Sequence, residues 1–168
     1  MRKINVLLAV LIMLTMLFTS SVAYASQSER NFVVQLSGAA ERPTPVETNA
    51  RGVAIFHLSK DGTELSYKLI VANIEDVTQA HIHCGSEDVA GPVVAFLFHL
   101  VPTGVTVNGV LAEGTITADD VIARAPSPEC PTGVADFEEL LALIRSGDAY
   151  VNVHTLANPG GEIRGQFD

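Results

Sequence analysis

The last segment of the chain, residues 149–167, constrains the fold more than any other stretch. It consists of two alternating arms around the turn sequence Asn-Pro-Gly-Gly, in which Pro fixes φ and Gly accepts positive φ. The alternation predicts a strand in each arm, with one apolar and one polar face. In the first arm, Val151, Val153 and Thr155 oppose Tyr150, Asn152 and His154, and in the second, Ile163 and Phe167 oppose Glu162, Arg164 and Gln166. We therefore predict an antiparallel hairpin with a core face and a polar face.

The register of this hairpin decides which polar side chains lie together. A slip of one residue would turn His154 toward the apolar face of the opposite arm. The pairing must therefore place His154 opposite Glu162 or Arg164. We predict that an imidazole, a carboxylate and a guanidinium share one surface.

The first 25 residues have the pattern of a secretory signal peptide. Arg2 and Lys3 form a basic start, residues 6–18 are apolar, and Ala23-Tyr24-Ala25 is typical of a cleavage site. The apolar run is shorter than the roughly 20 residues that span a bilayer, which argues against the alternative of a membrane anchor. We predict cleavage after Ala25, a linker at residues 26–30, and a protein that is secreted to the periplasm or the extracellular medium without stable membrane insertion.

The charge of the chain restricts its partners. The net charge is −9, and removal of the predicted signal peptide makes it more negative, because the segment contains Arg2 and Lys3 but no acidic residue. An acidic domain is a poor ligand for nucleic acid and for anionic membrane surfaces. All three methionines lie in the same segment. A metal site in the mature domain would therefore consist of His, carboxylate or Cys.

The two cysteines, Cys84 and Cys130, are predicted to form a disulfide, because an even count in an exported chain is typical of one. In the chain-entropy model a loop of this length stabilises the fold by about 4 kcal/mol. The alternative is that Cys84 acts as a thiolate metal ligand beside His83.

The middle of the chain reads as a succession of short strands, which we place at 32–37, 52–59, 64–72, 79–84, 92–100 and 111–117. Asp61-Gly62 is a hairpin turn signal between two of them. The nearly continuous apolar run at 92–100 predicts a strand that is buried on both faces.

Helical signals are confined to two places. Residues 136–145 have apolar side chains at helical spacing with Gly147 behind them, and Thr117 precedes two acidic residues as a helix N-cap would. We predict an all-β domain at residues 31–168, a Greek-key β-sandwich or flattened barrel of immunoglobulin-like or superoxide-dismutase-like type, with one or two short helices in a connection.

Two segments resemble the CHRD domain, which occurs in chordin and as single-domain secreted proteins in microbes. They are Ala80-His81-Ile82-His83-Cys84-Gly85 with the following Gly91-Pro92-Val93-Val94, and the terminal hairpin from Tyr150 to Gln166. The resemblance covers about residues 31–168. It implies a secreted all-β domain with a non-catalytic role in binding an extracellular protein or matrix partner.

The His-x-His strand, the later His and the Gly-rich turn before an Arg are also similar to the copper half of Cu,Zn superoxide dismutase. This similarity implies copper ligands at His81, His83 and His154 and an anion-guiding role for Arg164. The bridging histidine and the zinc loop of that family are missing, so zinc and dismutase activity are not implied. A copper-dependent redox protein is the alternative function, and we do not predict an enzyme.

The spacing of the histidines independently favours a metal site. His81 and His83 lie two apart, so their rings leave one face of a strand roughly 7 Å apart, while Cys84 faces the core. With His154 they form a three-nitrogen set that suits copper or zinc. The alternative is exposed or hydrogen-bonded strand histidines without a metal, and we read His57 and His99 as structural.

We predict that Glu162 and Arg164 frame this site from outside the ligand set, with Glu162 orienting an imidazole. The alternative is a surface charge pair worth under about 1 kcal/mol. Metal affinity should fall as the pH drops through about 6.5, where free imidazole protonates.

Overall fold

The computed structural model describes residues 30–168, so the predicted signal peptide and nearly all of the predicted linker lie outside the described residues. The strands are β1 (Asn31–Ser37), β2 (Arg51–Leu58), β3 (Leu65–Cys84), β4 (Val93–Phe98), β5 (Val105–Ile116), β6 (Ala149–Thr155) and β7 (Ile163–Gln166). One α-helix, α1 (Phe137–Ser146), and two 3-10 helices, Gly38–Ala40 and Ala118–Asp120, complete the described elements. Within residues 30–168, no helix combines the length and the apolar character needed to cross a membrane.

The strands form one antiparallel sheet in the order β2-β1-β7-β6-β3-β4, with β5 paired to β3. Strand β2 also pairs with β3, and this additional ladder closes the sheet into a barrel. Closure removes most of the free edges that an open sheet would present. The all-β prediction is confirmed, and of its two variants the flattened barrel is the one that forms.

Strand β3 is a single strand of 20 residues, where the sequence predicted two strands at 64–72 and 79–84. Its first half pairs with β2 and β5, and its second half pairs with β6 and β4. Asn73 and Asp76 lie between the halves with left-handed φ values of 54° and 51°. These two conformations, with shifts in register beside them, let the strand bend without ending. Strand β3 thereby carries His81 and His83 to β6.

The predicted hairpin register is confirmed. Asn152 pairs with Arg164 and Val153 with Ile163, so the ladder continues toward His154 and Glu162 as the alternation required. Val151, Val153, Ile163 and Phe167 lie in the hydrophobic core. The Asp61-Gly62 turn also forms, with Gly62 at a φ of 75°.

The helical signals are confirmed to within a residue or two. The Asp136 side chain accepts a hydrogen bond from the Glu139 amide and caps α1, and Gly147 ends the helix in a left-handed conformation. Thr117 and Asp120 cap the second 3-10 helix reciprocally.

Strand β4 departs from the prediction of burial on both faces. Val94, Ala95 and Leu97 are buried, whereas Phe96 and Phe98 are half-buried and His99 is exposed. Strand β4 therefore has one face in the core and one face that is only partly covered.

The disulfide between Cys84 and Cys130 is present, with the two Cα atoms 5.5 Å apart and both side chains buried. It ties the segment around residues 124–134 to the end of β3. The alternative of Cys84 as a thiolate ligand is therefore wrong.

Candidate metal centre

The polar face of β6 is buried, not exposed as the predicted polar surface would be. Tyr150, Asn152 and His154 have relative exposures of 2%, 4% and 6%. Side chains of the 41–48 segment and the backbone of residues 85–91 cover this face through hydrogen bonds. The domain therefore has a second buried layer, polar in character, on the side of β3 and β6 that faces away from the hydrophobic core.

Strand pairing brings the three predicted ligands together in this layer. His81 pairs with Asn152 and His83 with Tyr150 across the β3–β6 ladder, which places His154 diagonally beside His81. One ring nitrogen from each of the three histidines lies within 4.8 Å of the others, and all three rings are buried.

Backbone carbonyls fix two of the three rings. His83 Nδ1 donates to the Gly91 carbonyl at 2.8 Å, and His154 Nδ1 donates to the Pro159 carbonyl at 2.9 Å. Because a carbonyl only accepts, Nδ1 carries the proton in both rings and Nε2 keeps its lone pair. This is how ligand imidazoles are usually oriented in metal sites.

With the ring of His81 included, the ring nitrogens cannot all have hydrogen-bond partners, whichever nitrogen of His81 carries the proton. His81 Nδ1 lies 3.2 Å from His154 Nε2, while the Nε2 atoms of His81 and His83 are buried without any hydrogen-bond partner. A proton on His81 Nδ1 leaves its Nε2 lone pair bare, and a proton on Nε2 leaves two lone pairs facing each other. Each buried unsatisfied group costs about 1–3 kcal/mol.

A cation would relieve this arrangement. Two imidazole nitrogens bound at about 2.0–2.1 Å to one ion lie about 3.3 Å apart in a tetrahedral arrangement and about 3.5 Å apart in a trigonal one. The separation of 3.2 Å between His81 Nδ1 and His154 Nε2 is close to both values. The donor set of three neutral imidazoles is one that copper and zinc accept.

Aromatic side chains hold the rings in place. The ring of Phe96 packs edge-on against His81 at 4.7 Å, and Tyr150 stacks on His83 at 4.8 Å with an interplanar angle of 10°. The Tyr150 hydroxyl accepts from the Gly91 amide, so the same glycine fixes both members of the stack. These contacts restrict the orientations of the His81 and His83 rings.

Burial keeps the imidazoles neutral. It lowers the pKa of His81 to about 3, with the neighbouring histidines adding to the effect. It lowers the pKa of His83 to about 4 against the hydrogen bond to Gly91, and it lowers the pKa of His154 as well. The predicted loss of metal affinity through pH 6.5 needs correction, because protons compete for these nitrogens only at a considerably lower pH.

Glu162 does not orient an imidazole. Its carboxylate accepts hydrogen bonds from Thr48, Thr155 and Asn158, and these contacts fasten the turn of the terminal hairpin. It lies in the same layer as the histidines, but its oxygens are already engaged.

Arg164 reaches the cluster indirectly. Its guanidinium donates to the carbonyls of Val89 and Ser86 and lies 3.5 Å from the ring centroid of Tyr150. Tyr150 in turn stacks on His83. Arg164 is 2% exposed and forms no ion pair with Glu162 among the described residues, so the surface charge pair is also wrong.

Glu41 belongs to this layer and was not predicted. It is 2% exposed, and Asn152 Nδ2 donates to its two carboxylate oxygens at 3.1 and 3.0 Å. Burial raises the pKa of Glu41 to about 7. It follows a 3-10 helix in an irregular segment, where no periodicity identifies an inward-facing side chain.

The two remaining histidines lie outside the cluster, as predicted. His57 is exposed on β2 and contacts Asn31, and exposed His99 stacks on Phe96.

Comparison with protein-family models gives a match to the family described as the CHRD domain over residues 32–167. No match was found among curated proteins or among solved structures.

Proposed function

The chain belongs to the CHRD domain family, and from this premise we propose that it is an exported, non-catalytic binding domain that holds one copper ion on His81, His83 and His154. The disulfide and the family membership are typical of extracellular proteins, which supports export. The proposed partner of the domain is an extracellular protein or matrix component.

The observation that carries the metal proposal is the buried group of three imidazoles with two ring nitrogens that lack any partner. Buried polar atoms are nearly always satisfied in folded proteins. An ion bound to His83 Nε2, His81 Nδ1 and His154 Nε2 would give the first atom its missing partner and would replace the contact between the other two.

Burial of the same group favours binding over turnover. A redox enzyme needs a reactant to reach an open position on the metal. The three rings have relative exposures of 3%, 8% and 6%, which leaves little access for a reactant. We therefore place the copper-dependent redox alternative second.

The first test is the metal content of the protein purified from the periplasm or the culture medium without chelator. We expect one copper per chain. The same protein is then stripped and titrated with copper as wild type, His83→Ala and His154→Ala, with the exposed positions His57→Ala and His99→Ala as matched controls.

Loss of the stoichiometric site in the first two variants, with both controls unchanged, would support the proposal. Equal and weak binding in all five proteins would mean that copper binds scattered surface histidines. The three histidines would then be structural, and the binding role would rest on the partner alone.

A further inference from the structure

The ligand set of the candidate site contains no negative charge. The group consists of three histidines, and among residues 30–168 no carboxylate or thiolate joins it. Cys84 is bound in the disulfide, Glu162 is held by two hydroxyls and an amide, and Glu41 is held by Asn152. A bound ion would keep its full charge.

Two positively charged side chains lie next to residues that contact His83. Arg164 lies over the ring of Tyr150, which stacks on His83. Arg124 donates at 2.7 Å to the carbonyl of Val93, the residue that pairs with His83 across the β3–β4 ladder. A second positive charge in the site would therefore be opposed by its neighbours as well as by burial.

In a buried site without anionic ligands, the free energy of binding depends strongly on the charge of the ion. The cost of moving an ion from water into a medium of low polarity rises with the square of its charge, so a divalent ion loses about four times as much solvation as a monovalent one. Anionic ligands offset part of this loss for a divalent ion, and this site offers none. The site is thus better matched to a monovalent ion.

The number of ligands leads to the same choice. Zinc completes a tetrahedron with a fourth ligand, commonly water when the protein supplies three. The Nε2 atoms of His81 and His83 are buried, and Phe96 and Tyr150 pack against the rings, so a coordinated water would have to be placed inside a buried layer. A cuprous ion has the same filled d shell as zinc but half its charge, and three nitrogens satisfy it.

We infer that the His81, His83 and His154 site selects the cuprous ion over cupric and zinc ions. The inference rests on the proposed function, because it presumes that these histidines hold a metal. It adds the charge of the ion and the physical reason for its selection.

The test compares affinities in stripped full-length domain without oxygen. Cu(I) is presented in competition with a colorimetric cuprous chelator, and Cu(II) and Zn(II) are titrated separately in the same buffer. We expect one Cu(I) per chain and an affinity at least about a hundredfold above that for either divalent ion, which corresponds to about 2.8 kcal/mol.

The outcomes separate the two proposals. If none of the three ions binds in a manner that depends on His83 and His154, the metal site itself is overturned. If Cu(II) or Zn(II) binds at that site as tightly as Cu(I), the metal site stands and the selection of the cuprous ion is overturned.

The electrostatic cause has its own matched pair of variants. Arg124→Gln removes a positive charge near His83, whereas Arg124→Lys keeps it. We expect the Cu(I) to Zn(II) affinity ratio to fall by about threefold or more in Arg124→Gln and to stay near the wild-type ratio in Arg124→Lys. Unchanged ratios in both variants would contradict selection by charge.

Discussion

Burial lowers the pKa values of the three histidines and raises the pKa of Glu41. We therefore expect the histidines to lower the stability of the domain in acid and Glu41 to lower it at higher pH. Each imidazole has a folded pKa below its ordinary value, and Glu41 has one above it. The charged form is the one disfavoured in every case, because burial removes it from water.

For the histidines, the metal-free protein should lose stability in acid. The unfolded chain binds protons near pH 6.5, whereas the folded pKa values of His81 and His83 are about 3 and about 4. Their contribution is complete above pH 6.5 and is lost progressively as the pH falls toward those folded values. We expect His81→Leu to reduce the loss between pH 7 and pH 5 by on the order of 1–2 kcal/mol, measured by urea denaturation. An unchanged pH dependence, equal to that of the control His57→Ala, would contradict burial as the cause.

Glu41 should lower the stability of the folded protein as the pH rises. Its folded pKa of about 7 exceeds the ordinary value of 4.5, so its contribution is complete below pH 4.5 and is lost as the pH rises through 7. Glu41→Gln cannot ionise and still accepts from Asn152. We expect the variant to gain about 1–3 kcal/mol over the wild type between pH 6 and pH 8.5. The exposed Glu113→Gln serves as control, and a parallel pH profile for Glu41→Gln and wild type would refute the expectation.

A residue of the site could be predicted from the sequence only where it lies on a strand with alternating polar and apolar residues. His81, His83 and His154 were found because each lies on a strand whose period shows which way its side chain points. Glu41 was not found, because it reaches the layer from an irregular segment. The burial of the polar face was also missed, since alternation shows that two faces differ and does not show what covers each of them.

Among the elements, β3 shows the limit of reading strands one at a time. Separate strands were predicted at 64–72 and 79–84, yet one strand runs through both, because Asn73 and Asp76 adopt left-handed conformations within it. Asn and Asp tolerate this conformation better than most residues. The terminal hairpin was predictable because its turn residues and both of its arms agree.

The loop between β3 and β4 should be sensitive to one added methyl group. The Gly91 carbonyl accepts from His83, and its amide donates to Tyr150, so this glycine holds one ligand ring and the aromatic ring stacked on it. A Cβ at Gly91 would overlap the Cys84 carbonyl, a backbone atom that cannot rotate away.

We expect Gly91→Ala to lower the free energy of unfolding by about 2 kcal/mol or more and to weaken cuprous binding by at least tenfold. Thermal unfolding and the chelator competition measure the two effects. Gly160→Ala is the matched control, because a Cβ there meets open space. Wild-type affinity in Gly91→Ala would show that the carbonyl does not position His83.

For the molecule as a whole, one link holds each half of β3 in place. The β2–β3 ladder holds the first half and closes the barrel, and the disulfide fastens the last residue of β3 to Cys130 across a sequence separation of 46 residues. The sequence predicted the disulfide from residue count and compartment. It also predicted the β2–β3 hairpin from Asp61-Gly62, but it did not predict that this hairpin closes a barrel, because closure depends on the bend that lets β3 serve both sides of the barrel.

Removal of the disulfide separates stability from metal binding. In the chain-entropy model a loop of this length contributes about 4 kcal/mol, so the double variant Cys84→Ala/Cys130→Ala should unfold at a distinctly lower guanidinium concentration than the wild type. The histidines lie on β3 and β6, whose ladder does not involve sulfur. We therefore expect the folded variant to bind one cuprous ion with an affinity within about fivefold of the wild type, about 1 kcal/mol. A folded variant that has lost the ion would show instead that the disulfide positions His83 through its neighbour Cys84.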